Sequence, residues 1–238
     1  MNSNILAYQS RRLRLQEIEM SRGRSLCPSC LQPAFGCYCR GLRPVDPRIR
    51  FIVLIHPLEA RRRIATGRMS HLCLSNSLLI RGEDYTGNRA IDAVVSDPGV
   101  HSVVLYPGPT SLDLSRIPAD ARTALFPADK KLAVFVIDGT WWTARKIVRS
   151  ANIAGLPRVC FTPRTPSRFR VRKQPSAGCW STIEAIHEAI ELLGPGQGFD
   201  VASRAHDVLL DTFDAMVERQ LACIQSMRAS RHGSEAGR

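Results

Sequence analysis

Six apolar residues, Leu132 to Ile137, follow one another without a polar interruption and are rich in β-branched types. Such a run suits a strand covered on both faces, as in the interior of a parallel sheet. It stops at Asp138-Gly139-Thr140, and a helical pattern follows from Trp141 to about Ile153, closed by Gly155 and Pro157. A second apolar run, Arg50 to His56, is ended by Pro57, which disfavours helix at the residue before it. Val103 to Tyr106 and Arg158 to Phe161 are shorter runs of the same type, and Leu72 to Ile80 is apolar enough to be buried despite Asn76 and Ser77. Helical patterns lie between and after these runs. Pro118 and Pro127 bracket a short one, and Ser181-Thr-Ile-Glu184 is a capping box that opens another through Leu193. A last helix, from about Val201 to Met227, carries Val208, Leu209, Phe213, Met216, Val217 and Leu221 at helical spacing. Strands alternating with helices predict an α/β fold with a mostly parallel sheet flanked by helices. No run reaches membrane-spanning length, and no internal repeat is present.

Composition sharpens this picture in two respects. A chain of 238 residues holds one substantial core with room for a small appended module, and a mean hydropathy of -0.11 suits a soluble globular protein. The basic start (Arg11, Arg12, Arg14) has no apolar segment after it and no small-residue cleavage site, so a cytoplasmic location is expected. The formal net charge of +12 points to a polyanionic partner, most often nucleic acid. The surplus is almost all arginine, whose guanidinium grips phosphates bidentately and stacks on bases; a merely solvated basic surface is the plainer alternative. The densest run is Arg61-Arg62-Arg63, with Arg68 soon after, while Arg145, Lys146 and Arg149 recur about one turn apart. Arg164, Arg168, Arg170, Arg172 and Lys173 are interleaved with Phe169 and Val171. From Arg168 to Arg172 the alternation predicts an extended segment with its basic side chains on one face, a strip suited to an RNA backbone.

Cys27-Pro-Ser-Cys30 and Cys37-Tyr-Cys39 place four of the eight cysteines in one short stretch, with Pro28, Pro33 and Gly36 to turn the backbone between them. In a chain with no sign of secretion this clustering reads as a metal site, and four thiolates suit structural Zn²⁺. Cys73, Cys160, Cys179 and Cys223 are scattered among apolar neighbours and read as small buried residues. The expected organisation is a basic N-terminal segment (1–24), a Cys-rich zinc module (25–45), a catalytic α/β domain (46–228) and a disordered tail (229–238).

Asp138 stands where a central strand gives way to a helix, the place where open α/β sheets collect ligands. Capping that helix together with Thr140 is its simpler alternative job. Trp141 either stacks on an unpaired base or packs in the core. His56 and Glu59 form a second polar cluster at a strand end, with His56 either a substrate contact or a hydrogen-bonded loop histidine. Tyr106-Pro107-Gly108 makes a turn that a ligand can approach closely. Ser181, Thr182 and Glu184 are explained by capping alone, although free N–H groups at a helix start also suit a carboxylate.

In chain order, Cys-x-x-Cys with Cys-x-Cys, His56-Pro-x-Glu59, Thr66-Gly-Arg68, Tyr106-Pro-Gly108, Asp138-x-Thr-Trp141, Ser167-Arg-Phe-Arg-Val-Arg-Lys173 and Ser181-Thr-x-Glu-Ala185 resemble the DTW-domain family, similar to bacterial tRNA-uridine aminocarboxypropyltransferases. The resemblance runs from Cys27 to about Cys223. Trp142 and Trp180 depart from the usual pattern without altering a proposed functional group. The resemblance implies transfer of the 3-amino-3-carboxypropyl group of S-adenosylmethionine to N3 of a tRNA uridine, with release of 5′-methylthioadenosine. It places catalysis at Asp138, Thr140 and Trp141, and the cofactor near Tyr106-Pro107-Gly108, Asp138 and the Ser181-Thr182-Glu184 helix start. It also implies kinship with SPOUT-type α/β proteins, which hold their cofactor in a knotted C-terminal region. tRNA is the partner expected, with no membrane and no obligate protein partner. A SPOUT-type RNA methyltransferase using the same cofactor and a non-catalytic, zinc-containing RNA-binding module are the alternatives.

Overall fold

The computed structural model describes residues 25–172 and 178–235, the side chains of 227–235 excepted; the expected basic segment 1–24 and Lys173 lie outside the described residues. Strands β1 (Arg50–Ile55), β2 (Ser77–Arg81), β3 (Val100–Leu105), β4 (Leu112–Asp113), β5 (Lys131–Asp138) and β6 (Arg158–Cys160) form one sheet in the order β2-β1-β5-β3-β6-β4. Every pairing is parallel. The α-helices are α1 (Pro57–Ala60), α2 (Thr66–Cys73), α3 (Arg89–Val95), α4 (Ala119–Thr123), α5 (Trp141–Ile147), α6 (Ala151–Ala154), α7 (Thr182–Leu193) and α8 (Val208–Glu235). The mostly parallel, helix-flanked sheet expected from the pattern is what forms. β5 lies between β1 and β3, which explains why its apolar run has no polar face.

Side chains of a strand alternate between faces. Leu132, Val134 and Val136 join Phe51, Val53 and Val103 in a core closed by α2, α7, α8 and the cysteine module. Ala133 and Phe135 join Ile52, Leu54 and Val104 on the other face, under Ile91, Val94, Ile147 and Ile153. Each fully buried aliphatic or aromatic side chain of this kind contributes roughly 1.5–3 kcal/mol. Asp138 continues the Leu132-Val134-Val136 series, so its carboxylate emerges toward α2 and α7 as the sheet ends.

Four elements differ from the pattern. The helix from Trp141 breaks after Ile147, because the Ser150 hydroxyl is taken by the Tyr85 N–H (3.0 Å) and a new turn starts at α6. The Leu72–Ile80 run divides between the end of α2 and β2. The last helix starts at Val208 and continues to Glu235, so the expected start at Val201 and tail from 229 are both displaced. Residues 201–207 instead form short 3-10 turns around Arg204, whose φ is 55°. They are pinned to α7 by Arg204 with Asp207 and Glu191, His187 with Asp207 (2.8 Å), and His206 with Glu191 (2.9 Å).

The fourth is the basic strip. Residues 168–172 are a turn, with Arg170 N–H donating to the Arg168 carbonyl (2.8 Å) and Arg172 N–H to that of Phe169 (3.1 Å). Phe169 is buried edge-on against Phe213 of α8 (5.2 Å between centroids), while Arg168 pairs with Asp214 and Arg170 with Glu218. Long-range packing on α8 overrides the period-two preference.

Candidate functional site

Asp138 ends β5 opposite Ile55, the last residue of β1, and is buried. Its Oδ2 accepts the Gly67 N–H (3.1 Å) at the start of α2, and its Oδ1 accepts the Thr182 hydroxyl (2.7 Å) at the start of α7. Two helix starts therefore converge on one carboxylate. A Cβ at position 67 would lie 2.4 Å from Oδ2, so only glycine lets α2 approach this closely. Burial pushes the Asp138 carboxyl above its ordinary value of 3.8, opposed by the Thr182 bond; the charge of Glu59 adds to the rise, and the Gly67 N–H and Arg172 oppose it. Asp138 does not cap α5. That task falls to Thr140, whose hydroxyl accepts the Thr143 N–H (3.3 Å).

Two adjoining hollows open at this end of the sheet. The smaller, about 160 Å³, includes Asp138, Thr140, Phe169, Arg172, Ser181 and Thr182 in its wall. The larger, about 410 Å³, runs over the ends of β3, β5 and β6 and is walled by Tyr106, Pro107, Trp141, Phe161 and Trp180 among others. Gly139, Trp141, Cys179, Trp180 and Thr182 border both. Tyr106 and Trp141 lie tilted at 6.3 Å between centroids, and Phe161 and Trp180 at 5.5 Å. Trp141 is 44% exposed and donates its Nε1–H to the Cys179 sulfur (3.3 Å), so the alternative of core packing does not hold for it. The pair of hollows offers an apolar aromatic slot beside a polar recess with one buried carboxylate and one guanidinium.

The start of α7 is already occupied by its own chain. Glu184 is buried and its Oε2 accepts the Ser181 N–H (2.8 Å), the Ser181 hydroxyl (2.6 Å) and the Ser167 hydroxyl (2.7 Å). Its Oε1 accepts the Arg168 N–H (2.6 Å). The capping box is present as expected, and it also fastens the 167–172 turn over the smaller hollow. This carboxylate offsets the positive end of the α7 dipole, which weakens the case for a ligand carboxylate there.

The remaining sequence candidates divide. Tyr106, Pro107, Asp138, Thr140, Trp141, Arg172, Ser181 and Thr182 are brought together, whereas Gly108, His56 and Glu59 do not border the hollows. Gly108 turns the backbone, its carbonyl accepting the Ser111 N–H (3.1 Å). His56 caps α1, its Nδ1 accepting the Leu58 N–H (3.2 Å), and stands 3.8 Å from Glu83. Glu59 is buried 3.4 Å from both Arg62 and Arg172. Arg68 is buried too, donating to the carbonyls of Ala60 and Arg62, so it braces the 60–65 loop and presents no guanidinium to a ligand. Arg61, Arg145 and Arg164 are exposed, and Arg63 is half-buried. Gly67, Cys160, Phe161 and Cys179 escaped sequence reasoning as site residues. For Gly67 the signal was available, since a glycine at the second position of a helix start implies a close neighbour.

Four thiols of the N-terminal module converge, with Cys27 and Cys39 sulfurs 3.9 Å apart and those of Cys30 and Cys37 3.7 Å apart. Sulfurs each about 2.3 Å from one tetrahedral Zn²⁺ would be about 3.8 Å apart, so the set fits that ion. All four lie within 4.8 Å of one another. The N–H groups of Cys30 and Ser29 pull the Cys27 thiol down to about 6, whereas burial pushes those of Cys30 and Cys39 up, so without a cation the four are not all thiolates. Leu31, with φ of 57°, makes the tight turn after the first pair. The cluster can bind a metal ion such as zinc. The Gln32 side chain donates to the Arg63 carbonyl (2.7 Å) and Arg219 to that of Gly36 (3.3 Å), docking the module between the 60–65 loop and α8.

Compared with known families, the chain matches the model described as DTW domain over residues 24–221. No curated protein and no solved structure matches it.

Proposed function

The chain belongs to the DTW-domain family, and on that premise we propose that it transfers the 3-amino-3-carboxypropyl group of S-adenosylmethionine to N3 of a uridine in tRNA. The family is associated with tRNA-modifying enzymes. The observation that supports the finer reading is the placement of Asp138: a buried carboxylate at the end of the central strand, beside a 410 Å³ aromatic slot. That slot suits the adenosine of the cofactor, with Tyr106, Trp141, Phe161 and Trp180 as its apolar walls. The polar recess suits the amino-acid end, where Arg172 matches a carboxylate and Asp138 an ammonium or a nearby cationic sulfur.

The cofactor's sulfonium makes its adjacent methylene electrophilic, and its leaving thioether is neutral and needs no acid. Attack by N3 forms the N3–C bond as the C–S bond breaks, and 5′-methylthioadenosine departs. The proton on N3 must leave during this step. Asp138, ionised and held by Gly67 and Thr182, accepts it as general base. A carboxyl raised above its ordinary value is a better base than an exposed aspartate, provided the pH keeps it ionised. Selecting the propyl carbon rather than the methyl is a matter of position, and the fixed walls of the two hollows supply it. The zinc module holds the 60–65 loop behind Glu59 and Arg68 and takes no part in the chemistry.

The test uses S-adenosylmethionine labelled separately in its carboxyl and methyl groups, incubated with unmodified tRNA. Carboxyl label in tRNA with methylthioadenosine released is the expected result. Methyl label with S-adenosylhomocysteine would establish a methyltransferase instead, and label in neither would leave a binding module.

A further inference from the structure

The positive charge of this chain is unevenly spent. Arg168, Arg170, Arg172, Arg62, Arg116 and Arg204 each lie beside a carboxylate. Arg61, Arg81, Arg89 and Arg164 are also exposed without an ion pair among the described residues, but the outer face of α5 and the turn after it join three such cations to an exposed indole. Arg145, Lys146 and Arg149 are exposed, and among the described residues none of them pairs with an acidic group. The same face carries Trp142, 66% exposed, with the Lys146 ammonium 3.7 Å from its ring centroid. Exposing an indole this far forgoes its burial energy, and a cation poised over it leaves the opposite ring face open. The inner face, Thr143, Ala144 and Ile147, is buried, so helix stability does not depend on the outer residues. α5 begins next to Asp138, and Trp141 walls both hollows.

We propose that the outer face of α5 is where the RNA substrate docks, with an unpaired base stacked on Trp142 and phosphates held by Arg145, Lys146 and Arg149. This rests on the transferase reading and deepens it. The partner it fits is a single-stranded loop. An aromatic face takes any unpaired base, a duplex hides its bases, and cations without acidic partners gain most from phosphate. A nucleotide beside the stacked one would then lie at the hollow that contains Asp138. Arg168 and Arg170, neutralised by Asp214 and Glu218 of α8, and Arg172, beside Glu59 of α1 at the wall of that hollow, contribute little to RNA affinity.

Binding of an unmodified tRNA transcript is measured by fluorescence anisotropy against salt concentration, for wild type, Trp142→Ala, the triple variant Arg145→Gln/Lys146→Gln/Arg149→Gln, and the comparison variant Arg168→Gln/Arg170→Gln. Trp142→Ala is expected to weaken binding on the order of 10-fold at all salt concentrations. The triple variant should flatten the slope of log affinity against log salt by about 2. Label transfer measured in parallel should show KM for tRNA raised and kcat retained at saturating tRNA. Affinity and slope unchanged in both α5 variants, or an equal loss in the Arg168/Arg170 variant, would overturn the docking surface. Because the substitutions in all three variants are at exposed residues, circular dichroism should show the same fold as wild type. If wild type binds tRNA and the α5 variants do not, but no protein transfers label, the docking surface stands and the transferase reading falls. If wild type transfers label and the α5 variants bind tRNA as it does, the reverse holds, and the face serves an acidic partner other than RNA.

Discussion

Asp138 sits between opposed influences. Burial and the neighbouring charge of Glu59 favour its protonated form, while the Thr182 hydroxyl, the Gly67 N–H and Arg172 favour the carboxylate. Burial prevails, so the folded carboxyl loses its proton at a higher pH than the ordinary 3.8. In the proposed reaction Asp138 is the base, and a base must be ionised to act. The rate at limiting substrate should therefore fall as pH drops through this raised value, giving an acid limb above the range of an exposed aspartate. The same shift has the opposite sign for stability, since a carboxyl raised in the fold costs stability as pH rises past its unfolded value. Asp138→Asn keeps an acceptor for Gly67 and removes the buried charge. It should lose transfer by about 10²-fold or more while keeping or gaining thermal stability at neutral pH. Rate profiles from pH 4 to 8 and thermal melts of both proteins check this together. An acid limb that persists in the residual activity of the variant would assign it to another group.

At the level of elements, the start of α7 shows what a local motif can and cannot reveal. Ser181-x-x-Glu184 is readable as a capping box from spacing alone, and the helix forms where expected. What spacing does not reveal is that the same carboxylate receives the Ser167 hydroxyl and the Arg168 N–H, because those donors arrive through tertiary folding. The 168–172 strip departs from its period-two pattern for the same reason. Its period-two pattern is real in composition, but Phe169 finds Phe213 and two arginines find carboxylates on α8, and a turn results. Replacing Glu184 by Gln leaves several donors competing for one amide oxygen, so it should lower the unfolding free energy by about 2 kcal/mol, read from urea midpoints. It should also raise KM for the cofactor, since the released turn carries Phe169 and Arg172 of the smaller hollow. A variant with wild-type midpoint and KM would mean the latch contributes nothing.

Across the whole molecule, the sheet was the legible part and the site only partly so. Continuous apolar runs specify buried parallel strands, and their ends mark where Asp138, Tyr106 and His56 stand, but the run pattern is blind to which strand lies beside which. Placing β5 between β1 and β3 sets His56 beside Asp138, its N–H donating to the Asp138 carbonyl (2.9 Å), yet its imidazole caps α1 and stays out of the pair of hollows that Tyr106 and Asp138 share. The cysteine module was legible as a metal site from spacing, yet its place was not. It docks on the Arg63 carbonyl through Gln32 and on α8 through Arg219 and Gly36, and Cys30 and Tyr38 are part of the main core. A metal there would thus hold more than a local loop. It would brace the 60–65 segment, where Arg68 anchors carbonyls and Glu59 meets Arg172 at the wall of the smaller hollow. Metal analysis of the protein should give about one zinc per chain. Stripping it with a chelator should lower the melting temperature, increase proteolysis within 25–45, and reduce transfer. Because thiolates must be deprotonated to ligate, the metal should also leave as pH falls, and re-adding zinc at neutral pH should restore all three properties. Full activity and an unchanged melt in the metal-free protein would show that the module is an appendage with no grip on the site.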